Sequence, residues 1–236
     1  MKIRIKFAKQ GVMRFIGHLD IMRYFQKAMR RAHIDIAFTE GFSPHMIMSF
    51  AAPLGVGLTS NGEYMDIEIK SPIASADAIR QLNEVMVEGM EVLSFRQIEE
   101  GKAGKAMSLV AAADYTVSFR PGYEPADGWQ KRLEEFAKKD SIVILKKTKK
   151  SEVETDIRPM IYALSVDGDN VHMTLATGSV ANLKPELVMS AFLKNEGFEL
   201  HSFALSVNRD EVYADIGTEE ERKLVSLESL GEDIVL

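Results

Sequence analysis

The alternation of apolar and polar residues at the start of the chain indicates a half-buried strand. Ile3, Ile5 and Phe7 alternate with lysine and arginine, which is the period of two expected when one face of a strand lies in the core. Apolar residues then recur at helical spacing over about residues 18–32. The pattern therefore predicts a strand followed by an amphipathic helix.

The rest of the first hundred residues extends this order. The segments "IDIAF" and "MIMSF" read as strands, and the Gly-rich "PLGVGLTSNG" leads to an alternating strand, "EYMDIEI". A second helix is predicted over about residues 75–87, with Gly89 just beyond it as a helix stop, and the strand "MEVLSFRQI" follows. Strand, helix, strand, strand, helix, strand is the ferredoxin-like order.

The same order recurs further along the chain. The strand "DYTVSF", a helix containing Trp129 and the strand "SIVILKK" precede "DIRPMIYALSV" and "VHMTLAT", whose connecting Asp-Gly predicts a hairpin. A helix with Pro185 in its first turn and Gly197 as its stop leads to the final strand or hairpin. We predict an α+β protein of two tandem ferredoxin-like (βαββαβ) units. The predicted limits are 1–100, a linker at 101–112, 113–216 and an acidic C-terminal segment at 217–236.

Composition excludes several kinds of protein. No run approaches the roughly 18 apolar residues of a membrane span, and the N-terminus lacks the unbroken apolar core of a signal peptide, so we expect a cytoplasmic protein. The chain has no cysteine, which excludes disulfides, thiolate nucleophiles and thiolate-held iron–sulfur clusters. Its five histidines show no tight ligand spacing, so we predict no metal site and no cofactor.

Charge is distributed unevenly along the chain. The net charge of −6 argues against a general nucleic-acid coat, yet residues 1–50 hold nine Lys or Arg against three Asp or Glu. The alternating cations Lys2, Arg4 and Lys6 suit either an RNA platform or a cross-strand ladder with Tyr64, Asp66 and Glu68. We favour the ladder, because the first and third strands of a ferredoxin-like sheet are antiparallel neighbours.

The first helix is strongly basic on its polar side. Arg23, Lys27, Arg30 and Arg31 lie there with one acid, Asp20, in the same helix. A solvated face is one interpretation, and contact with phosphate or an acidic partner is the other. Counterion release would make such a contact strongly salt-dependent.

Several loops carry residues that a simple turn does not need. In "TEGFSPH", Gly41 and Pro44 turn the chain, whereas the other side chains point to recognition. His18 could join Glu40 and His45 in an acid–base cluster, while Asp20 suits a helix start, where it would cap N–H groups. The loop "DIRP" also carries such residues, and the loop "TGSVANLKP" could bind an anion, or Asn182 could simply cap a helix. The predicted binding residues are Arg14, His18, Asp20, Arg23, Arg30, Arg31, Glu40, Phe42, Ser43, His45, Arg158, Ser179, Asn182 and Lys184.

These motifs together resemble a known family. The elements "GHLD", "EGFSPH", "TDIRP" and "GSVANLKPELVMSAF" are similar to those of the radical SAM-linked protein family, a bacterial group whose domain has no established activity. In that family the module is fused to a radical SAM enzyme or encoded beside one. The resemblance therefore implies a partner enzyme on a separate chain, because a chain without cysteine cannot hold the radical SAM cluster itself.

Three functional hypotheses follow. We favour a non-catalytic adaptor that associates with a radical SAM enzyme and presents its substrate, conceivably RNA or a ribosome-associated component. The second hypothesis is an RNA-processing or RNA-modifying enzyme that uses His18 or His45 as acid or base near Arg14. The third is a homodimeric scaffold.

Overall fold

The structure, a computed structural model, describes residues 1–99, 104–147, 152–218 and 221–236. By its contacts the chain divides into two compact units: unit 1 comprises Met1–Ala112 and Arg209–Leu236, and unit 2 comprises Ala113–Asn208. The fold is mixed α+β and dominated by mostly antiparallel sheet with few helices, which confirms the predicted class. The last 28 residues belong to unit 1, whereas the predicted limits assigned part of them to the second domain.

Unit 1 is built around its N-terminal strand. Strand β1 (Lys2–Lys9) lies between β3 (Thr59–Glu68) and β4 (Met90–Ile98), antiparallel to both. Strand β2 (Met48–Phe50) pairs with β3. Three later strands are added to these. Strand β12 (Gly231–Asp233) pairs with β4. Strand β10 (Leu205–Asp215), which belongs to unit 1 from Arg209 onward, neighbours β3, and β11 (Leu224–Ser226) pairs with β10.

Two helices cover one face of this sheet. The apolar residues Ile3, Ile5 and Phe7 of β1 are almost fully buried and form one core with residues of α1 (His18–Arg31) and α2 (Ser75–Asn83). Phe7 contacts Phe25 of α1 edge to face, with ring centroids 4.7 Å apart. The predicted strand β1 and helix α1 are thus both confirmed, since each buries the face that its periodicity indicated.

The opposite face of β1 is covered as well. Arg4 is 1 % exposed and makes a bidentate pair with Asp66, its partner across the sheet. It also donates to the carbonyls of Gly104 and Leu227, which lie close to the short helix α3 (Ala106–Leu109) and the 3-10 helix Leu227–Leu230. The predicted register is confirmed, with Lys2 opposite Glu68, Arg4 opposite Asp66 and Lys6 opposite Tyr64. The pairing of Arg4 with Asp66 is the part of the predicted ladder that forms an ion pair among the described residues, and it leaves this buried guanidinium unavailable to RNA.

Three predictions in unit 1 were wrong in detail. The segment "IDIAF" forms only single bridges, Ile36 to Ile69 and Phe38 to Met46, and is not a regular strand. Helix α2 ends at Asn83, before the predicted end at about residue 87. Gly89 is not its stop, because Gly89 pairs with Gln10 beside β1; a Cβ there would lie 2.5 Å from the Gln10 carbonyl oxygen.

Unit 2 has a separate strand arrangement. Strand β5 (Val110–Phe119), which is in unit 2 from Ala113, neighbours β9 (Asn170–Ala176), and β9 forms the predicted hairpin with β8 (Ile161–Asp167). Helices α4 (Trp129–Ala137) and α5 (Pro185–Asn195) pack together through Phe136 and Phe192. Pro185 lies in the first turn of α5 and Gly197, with φ +83°, lies just past its end, as predicted.

The segment between α4 and β8 differs from the sequence prediction. Strand β6 (Val143–Lys147) pairs with β7 (Glu152–Asp156) in a two-stranded sheet of their own. The segment "DIRPMIYALSV" is therefore not one strand: it contains the end of β7, the 3-10 helix Arg158–Met160 and the start of β8. Pro159 explains the break, because proline has no N–H to give to a ladder.

Candidate binding surface

The loop from Thr39 to His45 is a closed turn that displays one aromatic ring. The Thr39 N–H donates to the His45 carbonyl (2.9 Å), and the His45 N–H donates to Thr39 Oγ1 (3.1 Å). Nδ1 of His45 lies 3.1 Å from the same hydroxyl oxygen. His45 therefore braces its own loop, and Phe42 is fully exposed between the two anchored ends.

Glu40 and Ser43 are exposed in the same loop. Gly41 has φ +108°, a conformation that favours glycine, so the interpretation of this residue as a turn element is confirmed. Ordered loops with an exposed aromatic side chain are typical of recognition sites, in which a rigid anchor enters a partner pocket.

The start of α1 is organised by a glycine and not by the predicted side-chain cap. Gly17 is the N-cap, and Asp20 lies in the first turn, where its carboxylate forms an exposed ion pair with Arg23 at 3.0 Å. The His18 ring packs edge to face on Phe50, with centroids 4.9 Å apart. Asp20 thus occupies the electrostatically favoured first turn, and its charge is directed to Arg23.

The side chains around Gly17 form an exposed apolar cluster. We define it by Phe15, Leu19 and Val56, each at least 60 % exposed. The Gly57 N–H donates to the Arg14 carbonyl (2.8 Å), which joins the "PLGVG" loop to the 3-10 helix Gly11–Phe15. The Arg14 guanidinium lies 4.8 Å from the centre of the Phe15 ring. Sequence reasoning missed this cluster, although Leu19 stands on the polar side of an otherwise amphipathic helix.

The cationic stripe of α1 consists of Arg23, Lys27, Arg30 and Arg31, all exposed. Because successive residues of an α-helix are rotated by ~100° about its axis, these side chains and Leu19 fall within an arc of roughly 120° around the helix. Arg23 pairs with Asp20, whereas the side chains of Lys27, Arg30 and Arg31 have neither a hydrogen bond nor an ion pair to any residue in the described ranges. Most of the stripe is therefore available to a partner.

The histidines do not converge. The His18 ring contacts Phe50, and Phe50 pairs with Met65 inside β3. The Thr39–His45 loop starts elsewhere: it follows Phe38, near the bridge between Ile36 and Ile69, and Ile69 lies just past the end of β3. Across the described parts of the chain, no hydrogen bond or ion pair joins His18, Glu40 and His45. No cluster of His, Asp or Glu suited to a metal ion occurs among the described residues either.

The predicted sites of unit 2 have different local roles. Arg158 is committed to its own surroundings, because it donates to the carbonyls of Lys139 (3.1 Å) and Ile161 (2.9 Å). Ser179 and Asn182 are exposed after Gly178. The N-cap of α5 is Lys184 without a side-chain cap, so the alternative in which Asn182 caps this helix is wrong.

Lys6, another basic residue of β1, is held in a largely buried network. Lys6 Nζ lies 2.7 Å from carboxylate oxygens of both Glu211 and Glu228. Burial acts to lower the pKa of Lys6, but the two hydrogen-bonded carboxylates outweigh it and raise that pKa. Burial acts to raise the pKa of Glu228, and Lys6 reverses the shift so that this pKa is lowered. These charges stabilise unit 1 and are not available to a ligand.

Comparison with known proteins gives a family and no activity. No curated protein matches the chain. One chain in a crystal structure of a Cbf5-Nop10-Gar1 complex is similar, with a TM-score of 0.48 and 11 % sequence identity. The alignment covers 89 % of the present chain and 48 % of the other, so the present chain spans about half the length of that structure's chain. No helix within the described residues is long and apolar enough to cross a membrane. The model of an uncharacterized protein family conserved in bacteria, DUF2344, matches residues 2–185, and the chain belongs to that family.

Proposed function

We propose that this protein is a non-catalytic adaptor that binds RNA through the cationic stripe of α1 and presents it to a radical SAM enzyme on a separate chain. The observation that carries the proposal is the contrast between two groups of cations. Arg4 is buried, Lys6 is largely buried and both are paired, whereas the side chains of Lys27, Arg30 and Arg31 project from one helix without partners in the described chain. This helix therefore presents three unpaired cations together on a protein of net charge −6.

RNA is favoured over a merely acidic partner by the aromatic side chains near the charge. Unpaired bases stack on exposed aromatic rings while lysine and arginine contact the phosphates. Phe15 lies in the apolar cluster at the start of α1, and Phe42 projects from the braced loop. Both rings suit single-stranded or looped RNA.

The partner enzyme rests on the sequence motifs. The "GHLD" and "EGFSPH" elements resemble those of the radical SAM-linked family, and they coincide with the start of α1 and the braced loop. The chain has no cysteine for a cluster, so we propose that the partner supplies the cluster. Leu19 and Val56, the aliphatic members of the apolar cluster, are the surface that we assign to this partner.

We also interpret unit 1 as ferredoxin-like. Its first six long elements run β1, α1, β2, β3, α2, β4, and the pairings of β4 with β1, β1 with β3, and β3 with β2 support this interpretation. For unit 2 the same interpretation requires β6 and β7 to be an insertion. Fold similarity alone assigns no function.

Binding of total tRNA and rRNA at two salt concentrations tests the RNA proposal. We expect the triple variant R23A/R30A/R31A to lose at least about tenfold in affinity, and the slope of log affinity against log salt to fall by about 3, one for each phosphate contact. The matched control is K70A/K105A/K223A, which removes three exposed cations elsewhere in unit 1. Equal affinities of the two triple variants would contradict the proposal.

Co-expression with a radical SAM enzyme encoded beside this protein tests the partner separately. We expect co-purification at low salt, and loss of it in L19E, with Q26E on the same helix as a control. Clean separation of the wild-type proteins would exclude the partner without affecting the RNA result. The alternative of acid–base catalysis by His18 or His45 has no supporting contact among the described residues. The alternative of a homodimeric scaffold predicts that the protein has twice the mass of one chain in solution.

A further inference from the structure

A groove of about 400 Å³ in unit 2 runs beside β6. Three successive residues of this strand, Val143, Ile144 and Leu145, line it. Successive side chains of a strand point to opposite faces of its sheet. One groove can therefore border all three residues only along the edge of the strand.

That edge is unpaired in the described part of the chain. Strand β6 pairs with β7 on its other side, and the two form a sheet by themselves. The edge is also apolar, with Val143 and Leu145 more than half exposed. An unpaired, apolar strand edge offers N–H and C=O groups to an added strand.

Helix α5 forms the opposite wall. It lines the groove with Leu187, Ser190, Ala191 and Lys194, the spacing of one helix face. These residues are partly or fully exposed, whereas Val188 and Phe192 of the same helix are completely buried. The groove face is thus separate from the core face, and its small side chains leave room for an extended segment.

One end of the groove is positively charged. Lys139 and Lys194 line it, and none of the described lining residues is acidic. Lys139 Nζ donates to Asn195 Oδ1 (2.5 Å), which places both lysines at the end of α5 and next to the start of β6. The Lys194 ammonium group has no hydrogen bond or ion pair with the residues that the structure describes.

The "DIRP" motif fixes this charged end. Asp156 accepts hydrogen bonds from the N–H groups of Ile142 (2.9 Å) and Arg158 (3.0 Å), and Arg158 Nε donates to the Lys139 carbonyl. The residues on both sides of the turn from α4 to β6 are thereby held in place. Arg158 is a positioning residue for the groove.

We propose that the groove binds an extended peptide segment with carboxylates near its C-terminal end, as an antiparallel strand added to β6. An antiparallel strand finishes beside the residue at which its neighbour begins. Its last residues therefore reach the start of β6, where Lys139 and Lys194 provide two ammonium groups. The strand edge is apolar over Val143–Leu145 and the described lining includes two cations, which suits a peptide better than RNA.

The experiment selects ligands from a pool of random octapeptides with free C-terminal carboxylates on the immobilised full-length protein. We expect enriched peptides to alternate apolar residues and to carry Asp or Glu within the last three positions. A fluorescein-labelled enriched peptide is then titrated against wild type, K194E and the control K138E. Lys138 is exposed beside Lys139 and does not line the groove. We expect at least tenfold weaker binding to K194E and no change with K138E.

A second measurement tests strand addition itself. Proline in place of a central residue of the peptide removes an N–H from the ladder and should weaken binding at least tenfold. The proposal is overturned if no peptide is enriched, if K194E and K138E bind equally, or if proline is tolerated at every position. It is also overturned if a 20-mer oligouridylate occupies the groove with the same dependence on Lys194, or if β6 edges pair between two copies and double the mass in solution.

Discussion

The buried pair of Arg209 and Glu63 shows how strongly single residues can determine the stability of unit 1. Arg209 donates through Nε and Nη2 to the two oxygens of Glu63, at 2.8 and 2.6 Å, and Nη2 also reaches the Ala52 carbonyl. Both side chains are about 95 % buried. A paired arginine in such a site is tolerable, but an unpaired one is not.

Replacing Glu63 by Gln leaves the Arg209 charge buried without its counter-ion. We expect E63Q to reduce the free energy of unfolding by about 3–5 kcal/mol, because the arginine keeps its desolvation cost and loses most of its compensation. Urea unfolding followed by circular dichroism measures this change. The exposed ion pair of Arg80 and Asp77 gives the control R80A, which we expect to shift the midpoint far less. Similar shifts for both variants would show that Glu63 does not balance the buried charge.

Individual residues also show where sequence reasoning reached its limit. The alternation of polar and apolar residues identified Arg4 and Asp66 as facing partners, because both lie in strands that were predicted to be neighbours. It missed Glu211 and Glu228 as partners of Lys6, since those acids follow Lys6 by more than 200 residues and no local pattern links them. His45 looked chemically active in the sequence, yet its nearest contact is the Thr39 hydroxyl, a partner that only the closed loop brings near.

At the scale of elements, the 3-10 helix Leu227–Leu230 is attached to the sheet by charge. Glu228 in this helix contacts Lys6, its backbone carbonyl accepts from Arg96, and the Leu227 carbonyl accepts from Arg4. A carboxylate with a lowered pKa stabilises the folded protein above its unfolded pKa, and the contribution is lost as the pH falls through the folded pKa. Lys6, whose pKa is raised, contributes below its unfolded pKa and loses this contribution at alkaline pH.

The lowered pKa of Glu228 predicts how the stability of the E228Q variant, relative to wild type, depends on pH. The variant resembles the protonated acid, so its unfolding free energy should fall below that of wild type at pH 7. The difference should shrink as the pH falls from the ordinary pKa of glutamate to the lowered pKa of Glu228, because the wild-type carboxyl then becomes neutral as well. Urea titrations at pH 7, 5 and 3 measure it, with E84Q at the exposed C-cap of α2 as a control. A difference that stays constant over this range would show that Glu228 does not act through its charge.

Elements were predicted well where one face had to be buried. Apolar residues alternate along β1 and recur at helical spacing in α1 and α5, because one face of each element packs on a sheet or a helix. The segment "IDIAF" has the composition of a strand, but it bridges only at single residues, since its neighbours there are Ile69 and Met46 rather than a second regular strand. The sequence predicted β6 as a strand of the second ferredoxin-like unit and did not predict β7. Nothing in the sequence reveals that these two strands form a sheet of their own among the described residues.

At the scale of the whole molecule, unit 1 is completed by the far end of the chain. Residues from Arg209 onward add β10, β11 and β12 to it, and all contacts described above for Leu224–Ile234 lie within unit 1. Composition marked this segment as an acidic tail. Two of its acids, Glu228 and Asp233, form ion pairs with Lys6 and Arg96.

Removing Leu224–Leu236 should therefore loosen unit 1 selectively. We expect faster hydrogen exchange in peptides from β1 and β4, since Arg4 and Lys6 lose partners and β4 loses β12. Exchange in α4 should be unchanged, because Trp129 and its neighbour Phe119 belong to unit 2. Mass spectrometry of peptic fragments measures both regions.

The control removes only Val235 and Leu236, which are exposed by 90 % and 76 %. This shorter deletion should leave every peptide at the wild-type rate. If the longer deletion also left β1 unchanged, the charged contacts of Leu227–Leu230 would not hold the sheet.

The contact of Arg4 with the Leu227 carbonyl has a consequence during synthesis. The two residues are 223 positions apart, so at about 5–20 residues per second roughly 10–45 s pass between them on the ribosome. During that interval the nascent sheet carries cations that have not yet met all their partners and an edge of β4 that has not yet met β12. Nascent chains of this protein should therefore depend on chaperones until Leu227 and β12 have been made, whereas unit 2 has all of its residues once Asn208 has been made.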